Sequence, residues 1–197
     1  MSESESDPAK DRFYMQYGKA MAAWADLEEA LCYWFRQSIE PKGKGNVNAE
    51  GIFYSARSFN GRADMLKAAS QSRLLTAEQR AFVRKAIKKA SDYNKFRAKL
   101  AHRMTIQKRG FGPEEDGFAL YEGDDTSGRN KENPPITETH LLHATTNFDA
   151  LSWVIGSVSV PGGIEPEEGL RLIDQFPKEP HLREDNHLIE EVYAERS

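Results

Sequence analysis

The segment Tyr-Asn-Lys-Phe-Arg-Ala-Lys-Leu-Ala-His-Arg, residues 93–103, ends the strongest helical pattern in the chain. Before and within it, side chains of one stripe recur at spacings of three and four residues, which predicts a long helix with one buried face. The stripe comprises Val83, Ile87, Ala90, Asn94, Arg97 and Ala101. A guanidinium is costly to bury without a partner, so Arg97 is predicted to have a specific partner or task.

We predict three further helices, which precede or follow this one in the sequence. Thr76 with Gln79 forms a capping-box pattern that opens the helix containing Arg97, which is the third in the chain. Asp7 followed by Pro8 opens a long amphipathic first helix that ends near Glu40. Apolar residues at helical spacing predict a second helix from about 49 to 71 and a fourth from 137 to about 158.

Between the third and fourth helices the pattern changes to alternation. Residues 104–107 and 118–121 alternate on either side of a Gly- and Pro-containing turn, which predicts a small β-hairpin. The fold class is therefore all-α, a four- to five-helix bundle with a small β-hairpin insertion after the third helix. We predict a helical domain over residues 1–159 and an acidic, proline-containing tail over 160–197, with short helices near 169–173 and 188–192.

Composition indicates an ordinary globular chain. Hydrophobic residues make up 39% and charged residues 29%, and no apolar run approaches the roughly 20 residues needed to cross a bilayer. The N-terminal residues are acidic and polar, unlike a secretory signal. Cys32 is the only cysteine and lies in an apolar helical segment, so we predict a buried, inert thiol. These features predict a cytoplasmic protein with no membrane partner.

Charge is unevenly distributed, although the net charge is only −4. Residues 80–109 hold eleven Lys and Arg against one acid, Asp92, whereas residues 160–197 hold ten acids against four basic residues. This asymmetry indicates a basic face for an anionic ligand, with an acidic tail elsewhere or folded over it. A solvated helix face whose charges pair across the fold is the other interpretation.

The stretch Arg97-Ala98-Lys99-Leu100-Ala101-His102 places an arginine and a histidine five residues apart near the end of a third helix. It resembles the motif of the HEPN superfamily, and the resemblance covers roughly residues 7–158. The family implies a metal-independent endoribonuclease without a cofactor, a homodimer whose two motifs face each other, and roles as a toxin with a cognate antitoxin protein or in defence. Other members only bind or scaffold. Ala98 and Arg103 stand where active members often carry a polar residue and a glycine.

By this resemblance Arg97 and His102 are the candidate catalytic residues. Cleavage through the 2′-hydroxyl of RNA needs a group that moves protons, which suits His102, and a cation for the charge at phosphorus, which suits Arg97. Three basic residues near the same helix end are candidates for binding flanking RNA phosphates: Lys95, Lys99 and Arg103. Three more are candidate supporting residues: Glu28, which interrupts the apolar stripe of the first helix, and Asp92 and Tyr93, one turn before Arg97.

Several alternatives stay open at this stage. Five residues along a helix separate two side chains by about 140°, so Arg97 and His102 converge only if the helix unwinds or if two subunits build the site. Arg97 in a buried ion pair with Glu28, and His102 as a favourable charge at a helix C-terminus, are structural interpretations. His140 and His143 lack the ligands of a metal site, and none is predicted. A catalytically inactive helical module that binds a protein partner or a nucleotide is the alternative function.

Overall fold

The structure is a computed structural model of the chain, and it describes residues 7–40, 48–102, 105–109, 117–121 and 134–182. The helices in these ranges are α1 (Pro8–Ile39), α2 (Ala49–Ser55), α3 (Phe59–Ala69), α4 (Ala77–His102), α5 (Glu138–Ser159) and α6 (Pro166–Gln175). The strands are β1 (Thr105–Arg109), β2 (Gly117–Tyr121) and β3 (Ile136–Thr137). The predicted class, a helical bundle with a hairpin insertion, is confirmed.

Helix α1 begins where the sequence predicts. The Asp7 side chain accepts a hydrogen bond from the Ala9 backbone N–H at 3.0 Å, and Pro8, which has no N–H to satisfy, occupies the first turn. The apolar face of α1 packs along α5, and Trp24 lies with its ring centroid 5.3 Å from that of Phe148. Large apolar surfaces from these two helices therefore form the centre of the core.

The single second helix predicted from the sequence is in fact two helices, because the helical structure is interrupted at residues 56–58. Ser58 adopts an extended backbone, and its hydroxyl accepts from the Gly61 N–H at 3.1 Å, so it caps α3 instead of continuing α2. The periodicity of the apolar residues spans the break, which is why the sequence suggested one element. With α6 the described part of the chain has six helices, and the predicted third helix is α4.

Helix α4 carries the candidate site residues Arg97 and His102, and the hairpin comes next in the chain. Thr76 and Gln79 form the predicted reciprocal cap, with the Gln79 side chain accepting from the Thr76 N–H at 2.9 Å. After α4, β1 pairs antiparallel with β2, and β3 adds a short third strand beside β2. Leu120 of β2 and Ile136 of β3 are buried in the same core as the helices, so the hairpin is anchored to the bundle.

Helix α6, within the predicted tail, packs on the bundle. Leu172, Ile173 and Phe176 are buried in the common core. Gly169 makes this approach possible, because a Cβ there would lie only 2.6 Å from the Phe82 ring. Residues 166–176 thus share one core with the described part of residues 7–159, while the tail's predicted second helix near 188–192 lies outside the described residues. None of the helices described combines the length and apolar character needed to span a membrane.

Candidate functional site at the end of α4

Arg97 lies in an apolar setting on α4. The side chains one turn before and after it, Tyr93 and Leu100, are 0% and 1% exposed, whereas Arg97 itself is half-buried. Its Nε atom is buried, and no acceptor meets it in the part of the chain that the structure describes. A buried donor without an acceptor costs about 1–3 kcal/mol, so this guanidinium is positioned at a cost in stability.

His102 is the last residue of α4, and its side chain is exposed. The helix stays regular up to that residue, so it does not unwind between Arg97 and His102. At 100° and 1.5 Å per residue the two side chains of one chain diverge by about 140° and are offset by about 7.5 Å along the axis. Of the two routes to convergence, only a site built from two subunits remains, and it stays a prediction.

Glu28, a candidate supporting residue, pairs with Arg62 of α3 instead of Arg97. The Nη2 atom of Arg62 donates to the Glu28 carboxylate, and its Nη1 donates to the carbonyl oxygen of Ala56 at 3.1 Å. Both charged side chains are mostly buried, at 13% exposure for Glu28 and 12% for Arg62. The interpretation of Arg97 as the partner of Glu28 is therefore wrong, because Arg62 on a neighbouring helix takes that carboxylate.

Asp92 and Tyr93 have separate surroundings. The Asp92 carboxylate accepts from the Nζ atom of Lys95 at 2.8 Å, and this hydrogen bond raises the pKa of Lys95. Tyr93 is fully buried, with its ring 5.8 Å from Phe148, so it belongs to the core.

Lys95 and Lys99 are exposed on α4, as binding of flanking phosphates requires, while Arg103 lies outside the described residues.

A segment that we call the strap, residues 176–182, runs from the end of α6 across α4 to α5. The Nζ atom of Lys89 donates to the Phe176 carbonyl oxygen at 3.0 Å, and the Asn147 amide donates to the Pro180 carbonyl oxygen at 2.9 Å. The His181 ring stacks on Phe96 with 4.7 Å between centroids. Sequence reasoning assigned His181 no role, since nothing near it in sequence forms a motif.

His140 and His143 of α5 complete the surroundings of this ring. His140 meets it edge-on at 5.3 Å between centroids, and Nδ1 of His143 lies 3.3 Å from the His181 carbonyl oxygen. Burial lowers the pKa of His181; Glu179 opposes the shift, and His140, Lys99 and His143 add to it. Burial and these basic groups therefore favour the neutral imidazole, although a Glu179 carboxylate oxygen lies 3.4 Å from its Nε2 atom.

The strap should make folding sensitive to mild acid. The unfolded chain takes up a proton on His181 near pH 6.5, whereas the folded chain resists it to lower pH, so stability falls as pH drops through that interval. We expect the wild type to unfold at lower urea concentration at pH 5.5 than at pH 7.5. A His181→Phe variant, which keeps a ring against Phe96, should lose less over the same change. Equal losses in the two proteins would contradict this assignment.

In the described ranges no group of three or more His, Cys, Asp and Glu side chains is arranged to hold a metal ion. Cys32 is buried, and burial together with Glu50 and Glu29 raises its pKa to about 11, so it stays a neutral thiol near pH 7.

Comparison with known proteins finds no matching family model, no matching curated protein and no matching solved structure.

Proposed function

We propose that this protein is a metal-independent endoribonuclease of the HEPN kind that acts as a homodimer, with Arg97 and His102 as its catalytic residues. The single observation that carries the proposal is the half-buried Arg97, whose buried Nε has no acceptor in the described structure. Glu28, the carboxylate that the sequence offered as its partner, is already paired with Arg62. An incoming phosphate supplies the missing acceptors.

The chemistry follows from the two residue types. A neutral imidazole takes the proton of a ribose 2′-hydroxyl, and the 2′-oxygen forms a bond to the adjacent phosphorus. The bond from phosphorus to the 5′-oxygen breaks, and a protonated imidazole gives that oxygen its proton. The products are a 2′,3′-cyclic phosphate and a 5′-hydroxyl. No oxidant, metal or cofactor enters this balance.

Arg97 is suited to the charge that develops during this reaction. The pentavalent transition state carries extra negative charge on the phosphoryl oxygens, and a planar guanidinium offers paired N–H donors to two of them. A position flanked by the buried Tyr93 and Leu100 limits solvent around the guanidinium, which strengthens the interaction. Removing such a donor typically costs about 10²- to 10³-fold in rate.

The test is cleavage of RNA in EDTA by purified wild type and variants. We expect His102→Ala to lower the rate by about 10²- to 10⁴-fold, because the proton-transferring group is lost. His102 is exposed at a helix end, so the variant should keep the wild-type melting temperature. Lys67→Ala, an exposed change on α3, is the matched control and should cleave at the wild-type rate.

The outcomes separate the alternatives. Equal cleavage by wild type and His102→Ala would reveal a co-purifying nuclease and end the catalytic proposal. Binding of RNA or a nucleotide without cleavage would favour the inactive binding module, consistent with Ala98 following Arg97. A role as a toxin with a cognate antitoxin belongs to the same proposal and requires growth arrest on expression that His102→Ala relieves.

A further inference from the structure

We propose that the solvent face of α4 is a strip-shaped binding surface for the phosphate backbone of a single RNA strand, leading along the helix to His102. The α4 basic stripe comprises Arg84, Lys88, Lys95 and Lys99. The proposal rests on the proposed function only for its end point, since His102 is the group that would meet the strand there.

The stripe lies in line with His102. Around the helix axis, with the direction of Arg84 taken as 0°, a rotation of about 100° per residue places Lys88, Lys95 and Lys99 within about 60° of Arg84 on one side. The same rotation places His102 at about 0°. The distance from Arg84 to His102 along the axis is about 27 Å at 1.5 Å per residue. All five side chains are exposed, so one straight, cationic face ends at the imidazole.

Apart from Arg97, the other Lys and Arg side chains of α4 make contacts within the protein. Lys85 pairs with Asp174 of α6, Lys89 donates to strap carbonyl oxygens, and Arg80 donates to the Leu75 carbonyl oxygen at 2.6 Å. On the stripe only Lys95 has a carboxylate partner, Asp92, within the described ranges. Helix α4 thus divides its positive charges between structural contacts and a face that remains open to an anionic ligand.

The composition of the stripe favours a polyanion over a protein surface. Protein partners gain most of their affinity from buried aromatic or aliphatic anchors. The large exposed apolar side chains of the described residues include Met15, Ile52 and Leu142, and none lies on α4. A surface of charges along one helix face without an anchor gains affinity chiefly by releasing the counterions of a phosphate backbone.

A cavity beside the stripe extends it. About 190 Å³ in volume, it lies between α4 and the strap, and Lys178 of the strap lines it together with Lys95 and Lys99. The carboxylates of Asp92 and Glu179 also line it, and Phe96 and Pro180 form part of its wall. This volume is below that of sites for drug-sized ligands. Three lysines against two carboxylates leave the lining with a net positive charge for one phosphate group of a strand that continues along the helix.

Salt-dependent binding of a 2′-O-methyl RNA, which lacks the attacking hydroxyl, tests this surface without cleavage. We expect Arg84→Gln/Lys88→Gln to bind at least about tenfold more weakly than wild type at low salt. The slope of log K against log salt should fall in magnitude by about 1.4, the value for two lost phosphate contacts on a single strand. Arg57→Gln/Lys67→Gln removes the same charges from exposed positions elsewhere and should bind as wild type does.

Each result is decisive. A weaker affinity and a shallower slope confined to the α4 variant support the surface. Wild-type affinity in the α4 variant overturns the proposed surface and leaves this face to an acidic protein segment or to solvent. Equal losses of affinity in the α4 variant and the control variant overturn it too, because overall charge then explains the binding. The readout is independent of catalysis: if His102→Ala leaves cleavage unchanged, the proposed function fails while this binding result stands.

Discussion

Mixing the Arg97→Ala and His102→Ala variants should restore about a quarter of wild-type RNA cleavage, although each variant alone is nearly inactive. Because α4 is regular up to His102, the two side chains of one chain point about 140° apart. A site shared between subunits would combine Arg97 of one protomer with His102 of the other. A mixed dimer then holds one intact site and one doubly altered site, and random exchange makes half of the dimers mixed.

The measurement needs subunit exchange that is itself observed. Two differently tagged variants are refolded together, the mixed dimer is isolated through both tags, and its cleavage rate in EDTA is compared with those of the parents. His102→Ala mixed with His102→Gln is the control, because no mixed dimer of that pair contains an intact site. The purified mixed dimer has one Arg97→Ala protomer and one His102→Ala protomer. If it is no more active than the two parent variants, the site is not shared in this way.

Glu28→Ala should lower the free energy of unfolding by about 3 kcal/mol, the lower end for breaking a buried ion pair. The change leaves the Arg62 guanidinium, only 12% exposed, with the Ala56 carbonyl oxygen and the Tyr54 ring as its remaining contacts. For a chain of this size the expected fall in melting temperature is about 6–12 °C. Thermal and urea unfolding measure it directly.

A double variant distinguishes an ion pair from mere packing. Glu28→Leu/Arg62→Met removes both charges at similar volume and should recover much of the lost stability, because neither charge is left buried alone. Cleavage by Glu28→Gln well below its melting temperature should match the wild type, since Glu28 contacts Arg62 and not Arg97. A large loss of cleavage without a loss of stability would restore Glu28 as a supporting residue of the site.

Local signals in the sequence predicted much of the fold. Asp7 with Pro8 and Thr76 with Gln79 mark helix starts through side-chain caps that involve only neighbouring residues, and both form as expected. The hairpin was predicted for the same reason, since alternation around a turn depends on residues close in sequence. The break at Ser58 was missed because the apolar periodicity continues across it, and a single hydroxyl cap decided the outcome.

For the candidate site too, some features follow from local sequence signals and others from the tertiary structure. The sequence by itself determined that Arg97 lies on the buried stripe of a helix and that His102 follows at the helix end, because both facts depend on periodicity and caps. Only the tertiary structure decided that Glu28 pairs with Arg62, that Arg97 keeps a buried donor without an acceptor, and that His181 stacks on Phe96. These contacts join residues 34 to 85 positions apart, and their geometry is set by how the helices pack.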